Sequence, residues 1–248
     1  MSDLKDIIEK SDNIVFFGGA GVSTESGIPD FRSETGLYKA KQEYGKSPEE
    51  IISHSSFMAD PELFFKYYKE NMIFQDAKPN DAHKAIAKLE QEGKVKGVVT
   101  QNIDGLHQMA GSKKVYEVHG SVHRNYCLDC GAKYDLEYIL DPVNCMDDKN
   151  NPTSIPHCRK CGGMVRPDVV LYEEALDEET VTSAVNAISE ADTLIVGGTS
   201  LVVYPAASFL NYFNGNNIVL INKSETAFDG RANLVIHEPI GEVMREFL

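Results

Sequence analysis

The sequence has no apolar run approaching the roughly 20 residues that a membrane-spanning helix needs. It has no basic region ahead of an apolar core either. Its start, "MSDLKDIIEK", is acidic and amphipathic and does not read as a secretory signal, so the expected location is the cytoplasm. Positive charge is scarce: 24 Lys and Arg stand against 38 Asp and Glu, a formal net charge of −14. Such a field repels nucleic acid and anionic membrane, and neither is expected as a partner. It favours cationic partners such as lysine-rich peptides, and it also serves plain solubility. No internal repeat and no low-complexity segment is present.

The bulk that remains is ordinary. Hydrophobic residues at 42% and charged residues at 25% are those of a soluble globular protein. A length of 248 residues suits one sizeable domain, or one domain carrying a smaller insert. Five cysteines without an export signal argue against disulfides.

Apolar patterning places the elements. "NIVFF" reads as a short buried strand, "GVVTQN" (97–102) as a second and "VYEVHG" (115–120) as a third. "DPELFFKYYKENMIF" (60–74) reads as a helix capped by Asp60 with Pro61 in its first turn. "NDAHKAIAKLEQEG" (80–93) reads as a helix that Asn80 caps and Gly93 stops. Residues 121–165 hold all five cysteines in polar, turn-forming sequence. After them come "DVVLY", "DTLIVGGTS", "NIVLIN" and "NLVIH" as strands, with "EETVTSAVNAISEA", "PAASFLNYFN" and "GEVMREFL" as helices. Near-continuous apolar strands alternating with helices indicate an α/β fold, a doubly wound, mostly parallel, Rossmann-like sheet. A small zinc-binding module is inserted in it. The large domain is expected over about 1–35, 77–120 and 166–248, and the small one over about 36–76 (helical) and 121–165.

Ligands of such sheets sit beyond the carboxyl ends of the strands. Five loops there are rich in Gly, Ser, Thr, Asn or Asp: "GGAGVSTESG", "TQNIDGLH", "HGS", "GGTS" and "INKSE". Gly18, Gly19 and Gly21 let backbone amides approach a pyrophosphate, and Gly197–Gly198 with Thr199 and Ser200 make a second rim. The third glycine of the usual dinucleotide fingerprint is missing, and Thr24 stands in its place. Gln101, Asn102, Asp104 and His107 crowd one strand end, where an amide beside a carboxylate can fix ribose hydroxyls and a carboxamide. The alternative is a polar loop capping a helix. His119 follows a strand and can act as a base near neutral pH, or be purely structural. Cys127-Leu-Asp-Cys130 and Cys158-Arg-Lys-Cys161 make two knuckles of one four-thiolate zinc site. Four thiolates close the coordination shell, so one structural zinc per chain is expected. Cys145 is left over.

Together, "GAGVSTESGIPDFRS", "TQNIDGLH", "VHGS", the paired Cys-x-x-Cys and "GTSLVVYPA" resemble the sirtuins, the NAD-dependent protein lysine deacylases. The resemblance runs from Ile14 to about Asn222 and implies an enzyme that consumes NAD and acts on acetyl-lysine in proteins or peptides. It implies that Ala20, Gly21 and Thr24 line the phosphate region, and that Asp30, Phe31 and Arg32 form a lid over the nicotinamide side. Gln101, Asn102, Ile103 and Asp104 would hold the ribose and carboxamide. His119 would be the general base, with Asn102 beside it in catalysis. Gly198, Thr199, Ser200, Asn222 and Lys223 would bind the adenosine half. Val169, Val170, Leu171 and Tyr172 would pair with the substrate peptide as an added strand.

Two departures stand out. Glu173 occupies a position where the family often has glycine; a positive φ there would strain it or alter the loop. Ser33 stands where glycine is more usual in the lid. In the branch of the family that removes acidic acyl groups, a Tyr-x-x-Arg pair meets the acyl carboxylate. Here Tyr68 is in place and Asn71 replaces the arginine, which implies a preference for neutral acyl groups. Three other functions compete with deacetylation: mono-ADP-ribosyl transfer to protein, non-catalytic NAD sensing, and hydride transfer. The presence of His119 favours deacylation over the first two. The missing glycine and the lack of an acidic residue at the ribose position weigh against the last.

Overall fold

The computed structural model describes residues 3–30, 40–147 and 149–248. Six strands form a parallel sheet: β1 (Ile14–Gly18), β2 (Val95–Thr100), β3 (Val115–Glu117), β7 (Thr193–Gly197), β8 (Asn217–Ile221) and β9 (Leu234–Ile236). Their order is β3-β2-β1-β7-β8-β9. The chain therefore winds outward from β1 in one direction and from β7 in the other. The switch point between them is where a doubly wound sheet opens a crevice.

The alternation of side chains along β1 explains why both faces are covered. Ile14 and Phe16 pack with Leu4, Ile8, Ile86 and Leu89 on one face. Val15 and Phe17 pack with Ala184, Ile188 and Phe209 on the other. A strand buried on both sides has to be apolar at successive positions, which is how "IVFF" reads. The flanking helices start where expected. Asp60 accepts from the Leu63 amide (3.1 Å) at the head of Pro61–Asn71, and Asn80 from the Ala82 amide (3.0 Å) at the head of Asp81–Gln91.

A second, three-stranded antiparallel sheet has β4 (Gly120–Cys127) between β5 (Lys133–Tyr134) and β6 (Val165–Val169). The helical stretch and the cysteine-bearing stretch share one core around it, built from Phe57, Phe64, Phe65, Tyr68, Cys127, Ile139 and Val165. Among the described residues, no helix is long and apolar enough to cross a membrane.

The structure corrects three sequence-based assignments. "DVVLY" does not join the parallel sheet: it is strand only to Val169, within β6, and pairs antiparallel with β4. Its apolar residues face the small core, and apolar run-length carries no information about which sheet a strand enters. The strand before His119 ends at Glu117. The Val118 amide still bonds the Thr100 carbonyl, and Gly120 then turns the chain at φ 80. A Cβ at Gly120 would run into the Asp168 carbonyl, so glycine is required there. His119 thus sits at the joint between the two sheets. Finally, residues Ala206–Tyr212 form a 3-10 helix, not an α-helix. Ala206/Phe209 and Ala207/Leu210 are the buried pairs, and a three-residue repeat aligns with three residues per turn.

Candidate active site

Gly18 lies in register with Thr100 on one side and Gly197 on the other, so three strands deliver their loops to one rim. The two glycine turns abut directly: the Gly21 amide bonds the Gly198 carbonyl at 2.8 Å and the Gly19 amide the Gly197 carbonyl at 3.3 Å. Gly198 has φ 57, and a Cβ there would collide with the Val22 amide nitrogen. Gly198→Ala is therefore expected to cost about 1–3 kcal/mol of stability, since alanine meets both the left-handed backbone and the clash. Thermal unfolding beside an NAD titration checks this; an unchanged Tm with unchanged NAD affinity would show that the contact yields freely.

Polar side chains behind the rim are tied into one network. The Asn102 amide nitrogen of the backbone donates to Thr100 Oγ1 (3.0 Å), and Asn102 Nδ2 donates to Ser23 Oγ (3.1 Å). Ser23 Oγ in turn donates to Asp104 Oδ2 (2.6 Å), and the Leu106 amide donates to Asp104 Oδ1 (2.9 Å). Burial pushes the Asp104 carboxyl above its ordinary pKa, partly offset by those two donors. Gln101 Nε2 donates to Thr199 Oγ1 (3.2 Å), linking the β2 loop to the β7 loop.

His119 Nδ1 lies 2.9 Å from the Gln101 carbonyl oxygen. A carbonyl only accepts, so Nδ1 carries a proton, and in the neutral ring Nε2 is the basic nitrogen. The backbone of one motif thereby sets the tautomer of the histidine in another.

A cavity of about 270 Å³ joins these parts. Its wall includes Ala20, Gln101, Asn102, Ile103, Asp104 and His119 from the nucleotide side, and Val169, Val170, Leu171 and Tyr172 from the expected peptide side. Gly21, Gly198 and Thr199 sit beside it at the strand ends. Thr24 is turned back on its own loop, donating to the Gly21 carbonyl (3.0 Å). Ser200 and Lys223 are exposed, and Asn222 Nδ2 donates to the Ser224 carbonyl (2.7 Å) beyond the end of β8; none of the three lines the cavity. Asp30 ends the first described segment, and the lid residues Phe31 and Arg32 lie outside the described residues.

Sequence reasoning missed Ser23, which joins Asn102 to Asp104; it lay unremarked inside the quoted glycine motif. It also passed over His123, whose Nε2 bonds the Asp104 carbonyl (3.1 Å), and Val203 and Tyr204, which line the cavity. Their contacts are long-range, so spacing along the chain gave no signal for them. His107 was read as part of the polar strand end. It is instead fully buried against Phe16 and His83, where burial holds its pKa well below the usual value.

The peptide-side segment differs from a free strand edge. The Val170 amide bonds the His119 carbonyl (3.0 Å), the Tyr172 amide bonds the Ile52 carbonyl (3.1 Å), and the Leu171 amide bonds the Glu174 carboxylate (2.9 Å). Its donors are used, and the carbonyls of Val169, Leu171 and Tyr172 already accept from Arg166 Nη2 (3.0 Å), the Glu174 amide (3.1 Å) and the His54 amide (2.9 Å), so an added strand has to share these acceptors. Glu173 follows at φ 76, in the left-handed region the sequence pointed to. Its carboxylate accepts from the Ser55 amide (2.8 Å) and hydroxyl (3.0 Å), which offsets the strain of about 1–3 kcal/mol that such a backbone carries.

Away from the cavity, the Sγ atoms of Cys127, Cys130, Cys158 and Cys161 lie within 4.8 Å of one another. Sulfurs about 2.3 Å from a tetrahedral zinc are about 3.8 Å apart, so this set fits zinc with little movement. Cys127 and Cys161 are at 3.4 Å, and Cys130 and Cys158 at 3.6 Å. Cys145 stands outside the set, with Lys69 Nζ at 3.2 Å from its sulfur. None of the four cysteines lines the cavity, so the zinc they would hold is structural. Cys127→Ala should lower Tm and zinc content together, because binding energy at such a site is folding energy. Undiminished stability in metal-free protein would refute the ligand set.

The matches to known proteins agree with this geometry. The model of the Sir2 family matches residues 19–205. An NAD-dependent protein deacetylase of Clostridium acetobutylicum is 60% identical over 244 residues, covering 98% of this chain and 96% of that protein. A solved structure described as Sir2 with a p53 peptide and NAD+ has a TM-score of 0.85 at 37% identity, covering 99% of this chain and 96% of that one. Another, a Sir2 variant with deacetylated p53 peptide and 3′-O-acetyl ADP ribose, has a TM-score of 0.85 at 39% identity, covering 98% and 95%. With its two abutting glycine rims and the strand-joint histidine, the chain belongs to the Sir2 family.

Proposed function

We propose that the protein is an NAD-dependent protein lysine deacetylase. It transfers the acetyl group of acetyl-lysine to the ADP-ribose part of NAD, consuming one water after nicotinamide has left and releasing nicotinamide, lysine and O-acetyl-ADP-ribose. The observation that carries this reading is the tautomer of His119: Nδ1–H is committed to the Gln101 carbonyl, leaving Nε2 as a base on the cavity wall.

NAD, when bound, supplies an electrophilic ribose carbon as its nicotinamide departs. The chain's residues have four tasks. The amides around Gly19–Gly21 and the Gly198–Ser200 turn hold the phosphates and the adenosine half, with Asn222 and Lys223 farther along the rim. Asn102 and Asp104, braced by Ser23, orient the ribose and carboxamide, with Gln101 and Ile103 packed beside them. The apolar cavity excludes water from an oxocarbenium-like transition state, which water would otherwise trap. His119 Nε2 takes a proton from a ribose hydroxyl so that the oxygen can attack the acyl carbon. The peptide lies along Val169–Tyr172, its amides sharing carbonyl oxygens that already accept one bond within the chain. We place the protein in the cytoplasm, where NAD and acetylated proteins meet.

Mass spectrometry of the products from NAD and an acetyl-lysine peptide tests the proposal. O-acetyl-ADP-ribose with free lysine is expected; ADP-ribose attached to protein would favour mono-ADP-ribosyl transfer.

A further inference from the structure

The cavity wall holds three carboxylates, Asp104, Glu173 and Glu174, and among the described residues no lysine or arginine. The three are not equivalent. Asp104 lies at the nucleotide side within its own hydrogen-bond network. Glu174 is neutralised: Arg166 Nη1 and Nη2 reach its two oxygens at 2.8 and 3.1 Å, and His54 Nδ1 lies 2.9 Å away. Glu173 is held only by neutral donors, the amide and hydroxyl of Ser55, and among the described residues no cation stands within ion-pair distance of it. It is exposed, directly after the segment Val169–Tyr172, which puts a carboxylate with no cation partner among the described residues at the mouth of the peptide side.

Its place is fixed. The backbone at φ 76 and the bidentate hold on Ser55 set the carboxylate at one spot, while a long glutamate on an ordinary strand would sample many. A fixed anion costs an approaching cation less ordering than a mobile one.

We infer that Glu173 is a specificity-determining residue that selects acetyl-lysine peptides with a basic side chain flanking the modified lysine and disfavours acidic flanks. This inference rests on the deacetylase reading above. The protein's excess of negative charge acts in the same direction at long range. The Glu173 contribution is short-range and distinguishable by mutation.

The test is kcat/KM on a peptide series in which one residue on either side of acetyl-lysine is Arg, Gln or Glu in turn. At low ionic strength the Arg peptide should exceed the Glu peptide by about three- to tenfold at one or more positions, the scale of exposed charge pairs. The difference should lie in KM and shrink with added salt. Glu173→Gln keeps the backbone geometry and removes the charge, and should bring the ratio to within about twofold. Glu173→Gly removes charge and strain together and should do the same without risk to folding. Equal rates at every position in the parent, or a ratio that survives both substitutions, would overturn the inference. Turnover of no peptide at all would instead overturn the deacetylase reading, and the inference with it.

Discussion

His119→Ala is expected to lower deacetylation by about 10²–10⁴-fold, the usual loss on removing a general base, while NAD affinity stays within a few-fold. The split follows from where the ring is held. Its Nδ1 is bonded to the Gln101 carbonyl, and the glycine rims proposed to hold the phosphates are untouched by the substitution. His119→Asn should be nearly as damaging. It can still donate to the Gln101 carbonyl, but its amide has no basic nitrogen to accept a proton. Single-turnover measurements should place the loss after nicotinamide release, since the proton is removed from a ribose hydroxyl. Activity of His119→Ala within a few-fold of the parent would remove this residue from the mechanism.

Acetyl-lysine is expected to be preferred over succinyl-lysine on the same peptide by at least about 10²-fold in kcat/KM. Tyr68 and Asn71 both line the cavity, on the helix Pro61–Asn71. Tyr68 is fully buried, and its hydroxyl has no hydrogen-bond partner among the described residues; burial raises its pKa, so it stays a neutral phenol. Asn71 is already engaged, its Nδ2 donating to Tyr44 Oη (3.0 Å) and to the Tyr67 carbonyl (3.2 Å). The neighbouring cations are directed elsewhere, as helical spacing requires. Lys69 Nζ reaches Cys145 Sγ, and Lys66 Nζ lies 5.9 Å from the centre of the Tyr44 ring. A carboxylate entering this space without a cation loses several kcal/mol of solvation, and a factor of 10² corresponds to only about 2.7 kcal/mol. Asn71→Arg should narrow the gap, at some cost to the Tyr44 contact. Comparable rates on both peptides in the parent would sink the idea and point to a cation from elsewhere, such as Lys41 on the exposed side.

Much of the fold was legible because its elements announce themselves locally. The apolar run at Ile14–Gly18, the caps Asp60 and Asn80, and the Cys-x-x-Cys pairs need no knowledge of distant residues. The candidate site was legible where chemistry is concentrated in one loop, as in Gln101 to Asp104. It was not legible where function depends on one loop meeting another. His123 was indistinguishable from any surface histidine until its ring was seen against Gly105 and the Asp104 carbonyl. Ser23 read as filler in a glycine turn until its hydroxyl was seen between Asn102 and Asp104.

The sequence by itself determined the alternation of strands and helices, the resemblance to the family and the two Cys-x-x-Cys pairs, and it pointed to His119 as the candidate base. Each of these depends on residue type and short spacing, which the chain carries along its length. Only the tertiary structure decided which nitrogen of His119 holds the proton, that β6 leaves the parallel sheet, and that the amides of Val170 to Tyr172 are already bonded. It also decided that Glu174 is paired with Arg166 while Glu173 accepts only from Ser55. Hydrogen bonds and charge pairing are set by distances of about 3–4 Å between groups far apart in the chain, and only folding brings those groups together.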